Sequence, residues 1–512
     1  MGIGKRFFRL SKWYHKYPGL LLILFVGWMA VSGILLNHPG LIRDLSIPGR
    51  WVPKHYHPVN WNRSSLKGML RFDSRKLMVW GNQGVFLSKD NGLHFEPFME
   101  GDFPDAAWKR RTNHLLADSS SGLVWAATNG GLFQVDCDTK QWVAIPLPEN
   151  RSAVKKIVTG DGHYLVVTES AIYQKPLSSE EQFSLVIPHR DEENLRLPLF
   201  RFFLSLHDGS ILGGAGKLLW DLAGLILLFL AVSAFYIWFY PKRWRRGYKK
   251  GGVKPGRKEK KRYAFFLRYH KKWGWYVAVL LTVIFATGIF LRPPLILAIA
   301  DGSVSQRWLP SFSRNPWHEK INNALYDHDA HRLVLECSDG IWAGAVSEMA
   351  VFKKLELPFS IFAMGTTVFE EKVPGEWLVG SFGGLLLYDV REEHKQSLLH
   401  VSPPKHKGMP ASLLVTGFVE YEDNCQYICG HYKGLCDASG EPIYGQLIMP
   451  ESLSRAYRMP LWNFLFELHN ARIFKGLLGA LYILIIPLLG SMGLFVILSG
   501  VFDYWYVKLK RK

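Results

Sequence analysis

Four long apolar runs stand out from a chain that is otherwise polar and alternating: roughly Gly19 to Leu36, Leu218 to Tyr240, Trp273 to Ala300 and Leu477 to Tyr504. About 20 apolar residues cross a hydrocarbon core, so each run predicts a membrane-spanning helix. Pro293-Pro294 interrupts the third run, and Pro487 in the fourth predicts a tilt or kink. Between the runs lie two long stretches with a different rhythm, in which short β-branched and aromatic segments are divided by Gly-containing turns. Lys76–Phe86, Leu123–Phe133 and Tyr164–Tyr173 carry the pattern in the first stretch, and Leu333–Trp342, Trp377–Leu386 and Gln426–Leu435 carry it in the second. Their spacing is roughly 41 to 50 residues, the size of a propeller blade. One four-stranded sheet cannot bury both of its faces alone, and three cannot close a ring. The two stretches are therefore expected to combine into one split β-propeller of about six blades; two separate β-sandwich-like domains are the alternative.

The apolar runs are themselves duplicated. Trp13-Tyr14-His15-Lys16-Tyr17-Pro18-Gly19 leads into a run that reaches Ser32-Gly33, and Arg268-Tyr269-His270-Lys271-Lys272-Trp273-Gly274 leads into one that reaches Thr287-Gly288 at the same offset. The second and fourth runs are announced by Leu206-His207-Asp208-Gly209 and Leu468-His469-Asn470-Ala471. The predicted fold class is thus membrane α + β: a four-transmembrane-helix bundle from two parallel repeats with a large external all-β region. Its boundaries read 1–40 for the first tail and span, 41–205 for the first external half and 206–240 for the second span. Residues 241–272 form a basic loop, 273–300 the third span, 301–465 the second external half, and 466–512 the fourth span and tail.

The net charge of +19 would point to nucleic acid if it were spread over a soluble surface. It is concentrated instead. Between Pro241 and Lys272 there are 15 Lys or Arg against one acid, Glu259, and further basic residues precede the first run and follow the last. The positive-inside rule then places both termini and the middle loop in the cytoplasm, with the β stretches outside, and this reading is favoured over nucleic acid as a partner. A cleaved signal is disfavoured because the first run is long and has an internal counterpart. All five cysteines (Cys137, Cys337, Cys425, Cys429, Cys436) lie in the external stretches. Cys429 and Cys436 flank a turn and could face each other, while buried thiols are the equal alternative. Cys425-x-x-x-Cys429-Gly-His431 has the wrong spacing for covalent haem attachment.

A lone histidine at a membrane edge is usually an interfacial residue. Four at corresponding positions of two repeats predict two facing pairs, His15 with His270 and His207 with His469. Two imidazoles without a neighbouring acid suit the axial positions of a b-type haem, whereas zinc would want about four ligands per site. His38, ending the first run, is the substitute ligand on the external side; Asp221 in the second run is either a supporting partner of the site or an interfacial residue, and the cost of an acid there favours a role in the site. The small pairs Ser32-Gly33, Ser233-Ala234, Thr287-Gly288 and Ser499-Gly500 admit a flat macrocycle, or equally a packed helix. Lys16, Arg268 and Lys271 could meet propionates.

These residues resemble a known family. His-Lys-x-x-Gly leading to a run that ends Ser/Thr-Gly, then Leu-His-x-Gly and Trp220-Asp221-Leu-Ala-Gly224-Leu225, is similar to the PepSY-associated transmembrane helix family, which includes inner-membrane ferric-siderophore reductases. The resemblance covers about a third of the chain and implies four helices, two haem b groups, and reduction of an external ferric siderophore or other iron chelate. Where those relatives carry compact α+β modules, this chain carries propeller-like repeats. Val124–Phe133 is also similar to the sensor blades of bacterial hybrid regulators. No dinucleotide, Walker or flavin motif is present, so the electron donor would be a separate cytoplasmic protein or a quinol. A periplasmic carrier protein and membrane lipid complete the expected partners. The competing readings are a non-redox propeller serving as sensor or scaffold, and a transporter, for which four spans are few.

Overall fold

The computed structural model describes residues 3–119, 121–136, 139–148, 152–179, 181–191, 196–252, 254–300, 302–305, 315–362, 364–400, 411–421 and 425–509. They form two compact units. One is helical, from Met1–Ile42, Arg196–Phe312 and Trp462–Lys512; the other is a β unit from Arg43–Leu195 and Ser313–Leu461.

In the helical unit, Ser210–Gly251 and Arg472–Leu509 are each long and apolar enough to cross a membrane. Two bent pairs qualify if each is one span: Lys5–Leu21 with Ile23–Asn37, bent by 63°, and Arg257–Tyr276 with Ala278–Phe290, bent by 64°. The joints, Leu22 and Val277, stand at the same offset as His15 and His270, so the duplication extends to the bend. In both pairs a basic, amphipathic helix turns into a short apolar one of 15 or 13 residues. The third helix stops at Phe290, short of the expected Ala300, because Pro293 and Pro294 supply no N–H and disfavour helical geometry in the residue before them. Pro487 lies in the first turn of Ile485–Leu509, just after the 3₁₀ segment Gly479–Leu484, where the missing N–H has no α-helical partner to lose. The expected basic loop is almost entirely helical, since Gly213–Gly251 runs through Pro241 and Arg257–Tyr276 begins six residues later.

Among the described residues the β unit contains six sheets built on consecutive antiparallel strands, the second and fourth with a two-residue parallel strand added at the edge. The first is Gly68–Arg71, Leu77–Gly81, Gly84–Ser88 and Glu96–Pro97; the second is Thr112–Asp118, Leu123–Thr128, Gly131–Asp136 and Gln141–Ile145. Val154–Gly160, His163–Thr168, Ile172–Pro176 and Ser184–Val186 make the third, and Ile321–Asp327, Arg332–Cys337, Gly340–Gly344 and Val351–Leu355 the fourth. Thr366–Val373, Glu376–Ser381, Gly384–Asp389 and His394–Ser397 form the fifth, and Val415–Glu420, Gln426–Gly430 and Gly434–Cys436 the sixth. Each of the six stretches singled out by pattern covers the hairpin between the second and third strands of a different sheet.

The second strand of each sheet is buried on both faces, and its alternate residues enter different cores. Met78 and Trp80 pack with Val124 and Ala126 between the first and second sheets, while Trp125 and Ala127 pack with Tyr164 and Val166 between the second and third. Leu165 and Val167 meet Leu333 and Leu335, Val334 meets Trp377 and Val379, and Leu378 meets Ile428. The sixth core joins Leu77 and Val79 of the first sheet to Tyr427 and Cys429 of the last, around Trp61. Arg190, in a two-residue strand paired with the outer strand of the fourth sheet, meets Asp339 at 2.7 Å beneath the rings of Trp317 and Trp342.

Cys429 and Cys436 are not bridged. Cys429 lies opposite Leu435 and Cys436 opposite Ile428, so a register offset of one puts the sulfurs on opposite sheet faces, in different cores. Cys337 and Cys425 are also free thiols, and Cys137 lies outside the described residues. Gly434, at φ 81°, brings its Cα so close to the chain at Asn60 that a Cβ would stand 1.7 Å from the Asn60 carbonyl oxygen.

Trp61 is fully buried where the last sheet meets the first. Trp61→Ala is expected to cost about 3–5 kcal/mol, read as a lowered denaturation midpoint by near-ultraviolet circular dichroism of the detergent-purified chain. A midpoint unchanged from wild type would show that this junction does not hold the unit together.

Candidate functional site: two facing histidine pairs

The helical unit brings four histidines into two pairs. The rings of His15 and His270 have centroids 6.2 Å apart at an interplanar angle of 77°, and those of His207 and His469 are 6.1 Å apart at 63°. His207 stands in the last turn of Leu199–Asp208, closed by Gly209 in the left-handed conformation at φ 80°. His469 ends Leu461–His469, and there the corresponding left-handed residue is Ala471, at φ 57° and fully buried. His15 and His270 lie within the basic helices that open the first and third spans.

Each ring is fixed through Nδ1 by the small pair of the other repeat. His15 Nδ1 donates to the Val496 carbonyl at 2.9 Å, beside Ser499-Gly500, and His270 Nδ1 donates to Ser233 Oγ at 2.7 Å. His207 Nδ1 donates to the Ile284 carbonyl at 2.9 Å, beside Thr287-Gly288, and His469 Nδ1 donates to Ser32 Oγ at 2.8 Å. The tautomer follows from the partners. A carbonyl can only accept, and the two serine hydroxyls give their own hydrogens to backbone carbonyls, Ser32 to Trp28 at 2.6 Å and Ser233 to Leu230 at 3.0 Å. All four neutral rings therefore carry hydrogen on Nδ1 and keep the Nε2 lone pair for a ligand. Holding a histidine by its other ring nitrogen is how metal-ligating imidazoles are oriented.

Close approach sets the rest of the geometry. A Cβ at Gly500 would stand 2.7 Å from His15 Cε1, and one at Gly288 2.8 Å from His207 Cε1. At Gly33 the distance to His469 Cε1 would be 3.4 Å, ordinary contact. Among the described residues no group of three or more His, Cys, Asp or Glu converges on a metal position. The donors come in twos.

His38 joins neither pair: its Nε2 meets Asp221 Oδ2 at 2.5 Å, and Asn37 Nδ2 donates to Asp221 Oδ1 at 3.3 Å and to the Asp208 carbonyl at 3.2 Å. Three further charged residues near the pairs escaped the sequence pattern. Arg292 is within electrostatic reach of His469 and of Arg472, and Arg472 is tied to Glu467 at 2.7 Å. Nε of both arginines is buried without a hydrogen-bond partner among the described residues. Asp503 lies near His15, Ser11 and Lys12, so that pair does have an acid close by. Arg292 ends a run whose first-repeat counterpart is Asn37-His38, and this break in the repeat was the available signal.

A family model described as the PepSY-associated TM region matches residues 12–508. The chain belongs to that family. It is accordingly a membrane protein with transmembrane helices and a large β unit. Curated protein sequences give no match. Among solved structures, the extracellular domain assigned to a hybrid two-component system of Bacteroides thetaiotaomicron aligns at 7% identity and a TM-score of 0.35, over 74% of this chain and 39% of that one. A structural-genomics protein of unknown function from the same organism aligns at 6% identity and a TM-score of 0.36, over 74% and 72% of the two chains. This chain thus spans well under half of the first of these, and neither likeness bears on what it does.

The Asp221 side chain is 12% exposed and that of His38 35%. His38→Ala is expected to destabilise the detergent-solubilised protein by about 2 kcal/mol, because it strands a buried carboxylate. Asp221→Asn should cost less, since the amide oxygen can still accept a hydrogen bond at that position. Thermal midpoints in the reverse order would mean that Asp221 does not depend on His38 for its hydrogen bonding.

Proposed function

We propose that this membrane protein carries two b-type haems, one between His15 and His270 and one between His207 and His469, and passes electrons between them to reduce a ferric chelate. The observation that carries the reading is the spacing. Metal–imidazole bonds of about 2 Å on either side of one iron set axial ring centroids about 6 Å apart, and the two pairs stand at 6.2 and 6.1 Å. The donor chemistry fits as well: two neutral imidazoles per site, each with Nε2 free and Nδ1 held. Arg292 and Arg472 supply buried cationic donors suited to propionate carboxylates at the His207–His469 pair. When bound, each haem would supply a one-electron relay, held by the histidine pair on either side of it.

The chain's own residues do the rest. His15 opens the first span, and Ser32, which holds His469, closes it, so the two pairs belong to opposite ends of the spans. The apolar helices between them exclude water. With the basic segments in the cytoplasm, the His15–His270 pair faces a cytoplasmic or quinol donor and the His207–His469 pair faces the periplasm. A ferric siderophore or similar iron chelate reduced there loosens its iron, because oxygen ligands hold the softer ferrous ion less tightly. In the β unit, consecutive sheets share a core in turn and the sixth core links the last sheet to the first. We read this cyclic sharing as a six-bladed propeller that receives the chelate or its carrier.

The test is an optical spectrum of the purified protein before and after dithionite, with a pyridine haemochrome count. Two haems per chain with low-spin reduced bands are expected, and a colourless protein that reconstitutes none would sink the reading. His15→Ala and His270→Ala should lose one and the same haem, and His207→Ala and His469→Ala the other. Gly500→Ala and Gly288→Ala should each lower the occupancy of the site whose ring they crowd, with Gly33→Ala milder. Equal losses at all three glycines would separate haem loss from ring displacement and count against the assignment.

A further inference from the structure

The first helix, Ile3–Leu21, carries a surface that the histidine pairs do not use. One side of it packs on the fourth span: Phe8 stacks on Tyr506 with ring centroids 4.4 Å apart, Ser11 Oγ donates to the Ser499 carbonyl at 3.3 Å, and the Tyr14 ring meets that of Phe495 at 6.2 Å. At 3.6 residues per turn, two further rows lie to either side of that contact. Lys5, Arg9, Lys12 and Lys16 form one; Leu10, Trp13, Tyr17 and Leu21 form the other. All eight residues are exposed, Leu10 at 62% and Leu21 at 71%. The helix holds five Lys or Arg and no acid. Asp503 of the fourth span lies within reach of Lys12, and one carboxylate against five cations leaves this side positive.

Two observations set this helix at a bilayer boundary. Ile23–Asn37, which follows it, has 15 residues and rises about 22 Å, less than the hydrocarbon core of about 30 Å. The two helices meet at a 63° bend. A span standing near the membrane normal therefore leaves the first helix closer to the membrane plane than to the normal. Exposed Trp and Tyr mark the same level on the neighbouring segments: Trp13 and Tyr17 near His15, Trp273, Trp275 and Tyr276 near His270, and Trp505 on the fourth span, with Trp275 stacked on Tyr504 at 4.8 Å. Such aromatic belts sit at headgroup level. A helix lying there turns an apolar row toward the acyl chains and a cationic row toward the headgroups, and Ile3–Leu21 has both.

We propose that the first helix is an interfacial helix whose row of Lys5, Arg9, Lys12 and Lys16 binds the phosphates of anionic phospholipids. Charge complementarity selects the lipid: a cationic row at headgroup depth meets a net negative charge on phosphatidylglycerol and a balanced one on phosphatidylcholine. The site is independent of haem.

The experiment counts the lipids retained by the full-length detergent-purified protein in native mass spectrometry, after addition of phosphatidylglycerol and phosphatidylcholine of the same acyl chains in equal amounts. Preferential retention of phosphatidylglycerol is expected. The double variant Lys5→Gln/Lys12→Gln should lower that preference about tenfold. Lys5→Gln alone, a milder change, should lower it about threefold if the double variant does not fold. Lys354→Gln, at an exposed ion pair in the fourth sheet, should behave as wild type does. Inorganic phosphate added alone should leave no adduct that the variants lose, since such an adduct would assign the row to free phosphate and not to lipid. That result, equal retention of the two lipids by the wild type, or an unchanged preference in the variants overturns the proposal, and none of these outcomes depends on the haem content.

Discussion

The helical unit depends on where four imidazole hydrogens go. A histidine ring in an apolar bundle has two nitrogens, and leaving either one unsatisfied carries a penalty. Here each Nδ1–H is consumed by the opposite repeat, at a carbonyl or hydroxyl exposed beside a small residue. That choice fixes the tautomer and ring position, and it ties the first span to the fourth and the second to the third. It also leaves Nε2 as the unspent lone pair at every site. The same small residues that let the backbone approach the ring would, if enlarged, collide with it at Gly500 and Gly288.

A different necessity governs the β unit. Its central strands are apolar on both faces, so no sheet is stable without a neighbour on each side, and the first and last sheets must find one another. The chain delivers three sheets before the second span and three after the third. Neither triplet can satisfy its end sheets alone. The duplication of the helices and the completion of the sheet array are therefore linked: both halves of the polypeptide must fold for either set of cores to be filled.

Much of this was legible in the sequence because periodicity and duplication are long-range signals. The six hairpins were marked by alternation and turns, and the histidine pairs by equal spacing within two repeats. What stayed hidden depends on local geometry. Residues 241–251 read as a loop because of their charge, yet a basic helix extending beyond an apolar span has nothing to prevent it. The change from 3₁₀ to α-helix just before Pro487 was not encoded in hydropathy. Cys429 and Cys436 looked like partners across a turn, but a one-residue register offset decides facing and no composition reveals it.

His38 shows how symmetry and chemistry divide a choice that sequence leaves open. A histidine at the end of the first span, close in sequence to Ser32-Gly33, could have served as a ligand. It has no counterpart in the second repeat, where Arg292 follows the third span instead. Asp221 is likewise without a counterpart pairing, and a carboxylate at that depth needs a hydrogen-bonding partner. His38 and Asn37 meet that need, so His38 is spent on Asp221. Meanwhile the second repeat places the Arg292 and Arg472 guanidiniums near His469, each with its Nε unmatched among the described residues. The two repeats thus keep their four histidines equivalent while diverging around them, one supplying an internal acid–base pair and the other an excess of positive charge at the same end of the bundle. Divergence in the surroundings of an otherwise symmetric pair gives that end a polarity that duplication alone would not.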